Sequence, residues 1–474
     1  IKIEATDEIF HEEYTSLISS SAIIDDYGYD GTGQTIVVID TGIDLDHSFF
    51  GPDTDSDDIA DRIVFSKDFT NENDDTANDE NGHGTHVAGI AAGASSAFPG
   101  IAPGASVIAL QVLDAGGSGS GDSIEKALSW CVENAEKYNI SVINMSLGFG
   151  DNASDEKEWF LSDELAALNQ LGVTVVSASG NAYGNYQEAG VSYPSSDPSS
   201  MSIGAVFHSD VGALYGASTT QSDQIAPFSQ RDSDQTTIMA PGVLIPSSWL
   251  DDSIKSISGT SMAAPVVSGA IAVIQEASQS ILGRNLLPFE VEELFSLHSD
   301  SIFDGDDEDD GLNHTNENYW RLNLEKIVNG IEELKKPGFH KLSVEAGKET
   351  LANFGIVEIE QSSDVSSDQL LVGTFSSDQI EGTTGNETIL SGEGDDLILG
   401  NGGSDTIFAG KGNDIIVISG QGSNLNLGMG RDKIYFGSDT KEIVIEDFEV
   451  SESELYTKNK QEGSSNNDLL LGGD

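Results

Sequence analysis

The stretch "TIVVIDTGIDLDH" (residues 35–47) decides the architecture. Ile36, Val37, Val38 and Ile39 are four β-branched residues in a row, with no polar residue alternating between them. A strand of that kind is buried on both faces, as parallel strands covered by helices are. The run stops on Asp40, and Thr41-Gly42 turns the chain away. Runs of the same kind recur as "SVINMSL" (141–147) and "VTVVSAS" (173–179), with helical spacing between them over 122–138 and 155–170. In the first of these helices Ile124, Ala127, Leu128, Cys131 and Ala135 fall on one face. Buried strands alternating with helices predict an α/β fold with parallel strands. In such folds the working residues gather at the carboxyl ends of strands.

The chain has 474 residues, enough for two or three domains and one large core. Against 21 Lys plus Arg stand 81 Asp plus Glu, a formal net charge of -60. Such a surface repels phosphate backbones and anionic membranes, so nucleic acid is excluded as a partner. It suits solubility in salty water or the binding of many hard cations. The single Cys131 rules out an internal disulfide framework and reads as a small buried hydrophobe. No apolar run approaches the roughly 18 residues of a membrane span. The sequence opens on Ile1 without a charged-then-apolar leader and stops mid-pattern at "LLLGGD", which reads as a fragment or processed form of something longer.

Four residues at strand ends and helix starts have chemistry to offer. Asp40 ends its strand rigidly held. "NGHGTHVAGIAAG" (81–93) sets His83 between two glycines at the start of a small-residue helix. "SASGNA" (177–182) places Asn181 after another strand, where its amide can donate to a developing oxyanion. "SISGTSMAAPVVSG" (256–269) puts Ser261 at the head of a helix, where backbone N–H groups favour negative charge, with a proline one turn inside. Each alone has a plainer role: a turn-bracing Asp, a helix-start His, a turn Asn, a filler Ser. Together they supply an acid, a base, an oxyanion donor and a nucleophile. His86, one turn beyond His83, reads as packed and structural. The two histidines stand three apart with no intervening Glu, which does not fit the zinc-peptidase spacing His-Glu-x-x-His.

The chain order Asp, His, Ser, carried by "VVIDTGID", "HGTHVAG", "INMSLG", "SASGN" and "GTSMAAP", resembles the subtilisin-like serine peptidases, the subtilases, over residues 23–335. The resemblance implies a subtilisin-like fold, with helices on both faces of a mostly parallel sheet. It also implies a serine endopeptidase working through an acyl-enzyme. On the matching positions Ser261 is the nucleophile and His83 the general base and then acid. Asp40 orients the imidazole, and Asn181 joins the Ser261 N–H as oxyanion hole. The family takes substrate as an added strand between two edge segments, matched here by Gly117-Ser118-Gly119 and Ser146-Leu147-Gly148. Ser146–Gly148 and Ser177–Gly180 would wall the main specificity pocket, with Ser192 at its floor. A calcium site common in the family is expected to be absent, because Phe49 stands where its acid would be and the loop "AAGASSAFPGIAPGA" is too short.

Past residue 372 the composition turns to Gly, Asp and Asn with a strict nine-residue period. Ile380, Ile389, Ile398, Ile407, Ile416, Leu425 and Ile434 stand nine apart, and two residues before each come Asp378, Glu387, Asp396, Asp405, Asp414, Ser423 and Asp432. The pattern breaks over 436–463 and resumes with Asp468 and Leu470. This resembles the RTX repeat, which folds as a parallel β-roll around Ca²⁺. Gly permits the turns, the isoleucines stack into a narrow core, and the carboxylates offer hard oxygen ligands. Asp378, Glu387, Asp396, Asp405, Asp414 and Asp432 are the candidate ligands, while Ser423 weakens its own site. Without cations the stacked carboxylates repel and the segment should be disordered. RTX segments commonly accompany type I secretion, whose signal would lie beyond Asp474.

A second calcium candidate lies in "DGDDEDDGLNHTNENYW" (304–320). Asp306, Glu308, Asp310, Gly311 and Glu317 fall at positions one, three, five, six and twelve of an EF-hand-like loop. The length of Glu308 and the polar Asn313 argue for the plainer reading, a solvated acidic insertion. The expected organisation is an N-terminal arm or prodomain remnant (1–22), a catalytic domain (23–335), a connector (336–372) and the repeat region (373–474). The expected protein is a secreted monomer acting on proteins or peptides. Two other readings stand beside it: a processing peptidase with one cognate substrate, and a non-catalytic calcium-binding surface protein.

Overall fold

The computed structural model describes residues 5–332, apart from 71–75, 155–156, 158 and 306–309. Beyond these it describes 369–372, 379–383, 385–392, 396–410, 414–418, 423–426, 433–436, 444–445, 454–457 and 470–471. The chain divides into two compact units, Ile1–Leu342 and Ser343–Asp474. Most of the connector expected at 336–372 lies outside the described residues.

Among the described residues the first unit has eleven strands: β1 Thr35–Asp40, β2 Ile63–Asp68, β3 Ser106–Gln111, β4 Ile140–Met145, β5 Thr174–Ala178, β6 Met201–Val206, β7 Thr236–Pro241, β8 Ile245–Trp249, β9 Ser253–Ile257, β10 Asp300–Phe303 and β11 Asn318–Arg321. Nine of them form one sheet in the order β10-β11-β7-β6-β5-β4-β1-β3-β2. Its pairs are parallel except β10 with β11, while β8 and β9 form a separate antiparallel hairpin. The four-residue β-branched run explains the layering. Ile36 and Val38 point to one face, against Val87 and Ile90 of the His83–Ala92 helix and Val266 and Ala270 of the Thr260–Leu282 helix. Val37 and Ile39 point to the other, with Leu128 and Cys131 of the Gly121–Tyr138 helix and Leu165 and Leu168 of the Ser162–Gln170 helix. Each fully buried side chain of this size contributes roughly 1.5–3 kcal/mol. Cys131 is completely buried, and burial raises its thiol pKa.

The order of the strands also places the site. β1 pairs with β3 on one side and β4 on the other. The chain first fills the β3–β2 side and then crosses to β4. The strand order therefore reverses beside β1, the point at whose carboxyl end α/β folds place their ligands, and Asp40 stands there. The polar N-terminal arm proves to carry an α-helix, Ala5–Leu17. Tyr14 and Ile18, one turn apart, are buried in the core cluster of this unit. Its lack of a clear period gave no sign of this, because tertiary packing rather than pattern holds the helix.

The second unit is a parallel β-roll of two sheets. One contains Gln369–Val372, Glu387–Leu390, Thr406–Phe408, Asn424–Asn426, Val444–Ile445 and Leu470–Leu471. The other contains Gln379–Glu381, Leu397–Leu399, Ile415–Ile418, Lys433–Phe436 and Glu454–Thr457. Ile389 pairs with Ile407 and Ile398 with Ile416, so two repeats make one turn of the roll. Ile389, Ile398, Ile407, Ile416, Leu425 and Ile434 form its buried core. Across the break at 436–463 the sheets continue: Leu425 pairs with Ile445 and Ile434 with Leu455. Leu470, which the period aligns with Ile434, pairs with Val444 instead. Ladder pairing requires hydrogen-bond register but not a fixed number of residues between strands, so the roll outlasts its repeat.

Candidate active site

Asp40 is fully buried at the end of β1. Its Oδ1 lies 2.7 Å from His83 Nδ1 and accepts the Thr41 N–H at 2.8 Å. A carboxylate only accepts, so Nδ1 carries the proton and Nε2 is left with its lone pair. Asp40 Oδ2 is buried with no hydrogen-bond partner among the described residues. The charge of Asp40 is thus compensated mainly from the histidine side. Burial lowers the imidazole pKa, but the charge and hydrogen bond of Asp40, with Asp79 behind them, outweigh it and hold His83 above its ordinary value. The helix bearing His83 comes this close because Gly84 has no side chain. A Cβ there would stand 2.1 Å from the Gly42 carbonyl oxygen and 3.1 Å from Asp40 Cβ. His86 is sealed inside, donating from Nε2 to the Lys255 carbonyl at 2.8 Å, and burial pushes its pKa down to about 3.

Ser261 is the second residue of the Thr260–Leu282 helix and is half-buried. Its hydroxyl donates to the Ser146 carbonyl at 3.2 Å, and no Ser261–His83 hydrogen bond is present among the described residues. A hydrogen bond between a nucleophile and its base is commonly long or absent before substrate arrives. Asn181 is exposed, and its Oδ1 accepts both the Thr260 N–H at 2.9 Å and the Thr260 hydroxyl at 3.1 Å. Two donors on the oxygen fix the amide's orientation and leave its NH₂ free to donate. A Cβ placed on Gly259 would lie 3.5 Å from Asn181 Nδ2 and 3.6 Å from Ser261 N. The side-chain amide and the backbone N–H therefore border the same small space.

The other site residues divide by position. Gly148, Gly180 and Ser192 come together: a Cβ on Gly148 would stand 2.8 Å from Ser192 Oγ, and one on Gly180 would stand 3.2 Å from Ser192 Cβ. The Ser192 hydroxyl donates to Asp151 Oδ1 at 3.2 Å and accepts the Gly150 N–H at the same distance. Ser177 is fully buried and its hydroxyl pairs with Ser200 at 2.7 Å, so its side chain is committed to the interior. Ser146 is buried, Leu147 half-buried and Gly148 exposed. Gly117, Ser118 and Gly119 are exposed in a loop braced by Asp114, which accepts the Ser118 N–H at 2.9 Å. Asn81, two residues before His83, donates to the Ala115 carbonyl of that loop at 2.9 Å.

Residues 31–313 match the model of the Subtilase family. The chain belongs to the subtilase family. It is 38% identical over 257 residues to Subtilisin-like protease 3 of Pseudogymnoascus destructans, covering 52% of this chain and 54% of that protein. It is 36% identical to a cuticle-degrading serine protease of Arthrobotrys oligospora, covering 58% of each. To Alkaline serine exoprotease A of Vibrio alginolyticus it is 35% identical, over 53% of this chain and 40% of that protein. This subtilase spans about half the length of the curated relatives it matches. Residues 381–416 match the RTX calcium-binding nonapeptide repeat.

One residue that organises the site of this subtilase escaped the sequence reading. Asp79 is buried and accepts five hydrogen bonds: Thr41 Oγ1, the Asn81 and Gly82 N–H groups, and the Thr85 N–H and hydroxyl, at 2.7–3.0 Å. The Gly84 N–H donates to Thr41 Oγ1 at 2.9 Å and the His83 N–H to Asn81 Oδ1 at 3.3 Å. The first N–H groups of the His83 helix thus all meet side-chain acceptors, with a carboxylate at the positive end of the helix dipole. The available signal was an acid four residues before His83 with Thr two residues after it.

In the roll, Glu387, Asp396, Asp405 and Asp414 are buried beside the Ile core. Asp405 Oδ1 accepts the Glu387 N–H at 3.0 Å, while its Oδ2 is buried without a hydrogen-bond partner among the described residues. Burial and the nearby Glu387 charge push the Asp405 pKa up to about 6. A buried, under-compensated carboxylate of this kind suits a hard cation. Glu387, longer than Asp, turns back to accept the Thr383 N–H at 3.0 Å. Ser423 Oγ accepts the Asp405 N–H where an aspartate stands in other repeats. Asp378 and Asp432 lie outside the described residues, as do Asp306 and Glu308 of the EF-hand-like loop. In that loop Asp310 accepts the Leu312 N–H at 2.8 Å and Glu317 is exposed.

Proposed function

We propose that this subtilase is a secreted serine endopeptidase that hydrolyses peptide bonds of extended or unfolded proteins. The observation that carries the reading is the 2.7 Å contact between His83 Nδ1 and the buried Asp40 carboxylate, which leaves Nε2 basic on the side open to solvent. Substrate pairs by its backbone between Gly117–Gly119 and Ser146–Gly148, and the side chain before the cut enters the space near Gly148, Gly180 and Ser192. Ser261 Oγ leaves the Ser146 carbonyl, attacks the substrate carbonyl carbon and gives its proton to His83 Nε2. Asn181 Nδ2 and the Ser261 N–H donate to the oxyanion. His83 then protonates the leaving amine as the C–N bond breaks, and water attacks the acyl-enzyme by the same proton route in reverse.

Glu387, Asp396, Asp405 and Asp414 would hold calcium in the roll, where it neutralises buried carboxylates and supports folding. The catalytic steps do not pass through it. Glu317 and Asp310 belong to a second proposed calcium loop in the catalytic unit. Calcium-dependent folding fits export of an unfolded chain, by a type I route, into a medium rich in that ion.

Casein digestion, with and without a fluorophosphonate, tests the reading on the full chain. Broad cleavage that the probe abolishes, with label on Ser261 and none on Ser261→Ala, is the expected result. Cleavage at one bond of one partner alone would point to a processing peptidase. No label and no cleavage would leave a calcium-binding scaffold.

A further inference from the structure

The Thr260–Leu282 helix contains Pro265 in its second turn. Proline has no N–H, and in a regular helix the one missing here would bond the carbonyl four residues back, that of Ser261. That carbonyl is not left unpaired. The Ser146 hydroxyl donates to it at 2.8 Å across 115 residues of sequence. Ser146 Oγ in turn accepts from Asn144 Nδ2 at 2.9 Å, and Asn144 Oδ1 accepts the Ser268 hydroxyl at 3.0 Å. Asn144 and Ser268 are fully buried and Ser146 nearly so. The chain of bonds thus leads from the interior of the nucleophile helix, through the end of β4, and back to the nucleophile's own backbone. The Ser146 hydroxyl accepts from Asn144 and donates to the Ser261 carbonyl, whereas the single Ser268 hydrogen is shared between Asn144 Oδ1 and the Ala264 carbonyl at 3.1 Å.

We propose that the Ser146 side chain is a positioning residue, which replaces the missing Pro265 N–H and fixes the backbone of Ser261 for attack. This rests on the reading of Ser261 as nucleophile, and it gives Ser146 a second duty beside the main-chain pairing proposed for it. The proline would otherwise leave the first turn free to shift, and the turn carries both the Ser261 hydroxyl and its N–H. A displacement of about 1 Å at such a centre costs on the order of 100-fold in rate.

The arrangement makes an unusual demand on mutants. Ser146→Ala in the full chain should slow fluorophosphonate labelling of Ser261 and kcat on a chromogenic peptide by about 10- to 100-fold, with KM changed less than about twofold. Ser146→Thr, which keeps the hydroxyl, should label within about threefold of the parent. Pro265→Ala restores a backbone N–H to the Ser261 carbonyl. Added to Ser146→Ala, it should recover at least about tenfold of the lost labelling rate, although Asn144 lacks its acceptor in both variants. If Ser146→Ala does not fold alone, the double variant should regain both a thermal transition and labelling. Unchanged labelling in Ser146→Ala, or a double variant no faster than the single, overturns the proposal. Loss of label in Ser261→Ala is a separate result that tests the nucleophile itself.

Discussion

Asp40 and His83, 43 residues apart in sequence, meet at 2.7 Å with the carboxylate wholly buried and the imidazole side chain 26% exposed. The pair fixes which histidine nitrogen faces solvent, and it holds the His83 pKa above the ordinary value.

Activity should therefore fall toward acid through a single ionisation centred above the usual histidine value of about 6.5. The sign follows from the charge. A raised folded-state pKa means that the pair stabilises protonated His83, so this stabilisation is full in acid and is lost as pH rises through the folded pKa. Activity needs the opposite, neutral form. Asp40→Asn should move the acid limb of kcat/KM to lower pH while lowering the plateau by about 10⁴-fold. A limb that stays in place would remove Asp40 as the partner of His83.

For Asn181, the Thr260 donors hold the amide oxygen, so Asn181→Asp would bring an acceptor to the oxyanion. Asn181→Ala removes the donor without adding charge and should cost about 100- to 1,000-fold in kcat with little change in KM. Steady-state kinetics on one peptide substrate checks this, and a loss confined to KM would assign Asn181 to substrate binding instead.

Asp79→Asn keeps the size of the side chain but turns one acceptor into a donor that opposes the Thr41, Thr85 and backbone donors. A drop of about 5- to 30-fold in kcat/KM is expected. The acid limb should move to lower pH, because His83 loses one of its two flanking anions while Asp40 remains. His86, itself neutral, does not compensate. A pH profile that falls uniformly with no displacement would reduce Asp79 to a purely structural brace.

The roll should show a pH response that calcium reverses. With chelator present the unfolded form dominates, but Asp405 is more basic folded than unfolded, so acid shifts the balance toward the folded roll as pH falls through about 6. With calcium bound, acid should weaken the roll by protonating the ligands. Hydrogen exchange at Ile389, Ile398, Ile407 and Ile416 in the full chain reads both slopes. Exchange rates indifferent to calcium at neutral pH would speak against cation binding there.

The α/β fold was legible because its signals are local: unbroken β-branched runs, and helical spacing between them. The nine-residue period likewise exposed the roll, since each turn repeats the same Ile and acid. Asp79 was not legible, because its partners Thr41 and Thr85 flank it from 38 and 6 residues away and one acid is inconspicuous among 81. The Ser146 hydroxyl was hidden for a related reason. Its purpose depends on a proline in another element, and sequence spacing does not report that the two are neighbours. The continuation of the roll past residue 436 was obscured because strand register, unlike the period, leaves no mark on composition.

Cys131, alone in its type and fully enclosed between the Gly121–Tyr138 helix and the sheet, has a practical consequence. A maleimide or spin label will not reach it while the fold is intact. Any cysteine introduced on the surface would then be the sole reactive thiol of the folded chain. One label on each unit, for example at Glu133 and at Phe408, would read the distance between the two units with and without calcium, with no background site to remove first.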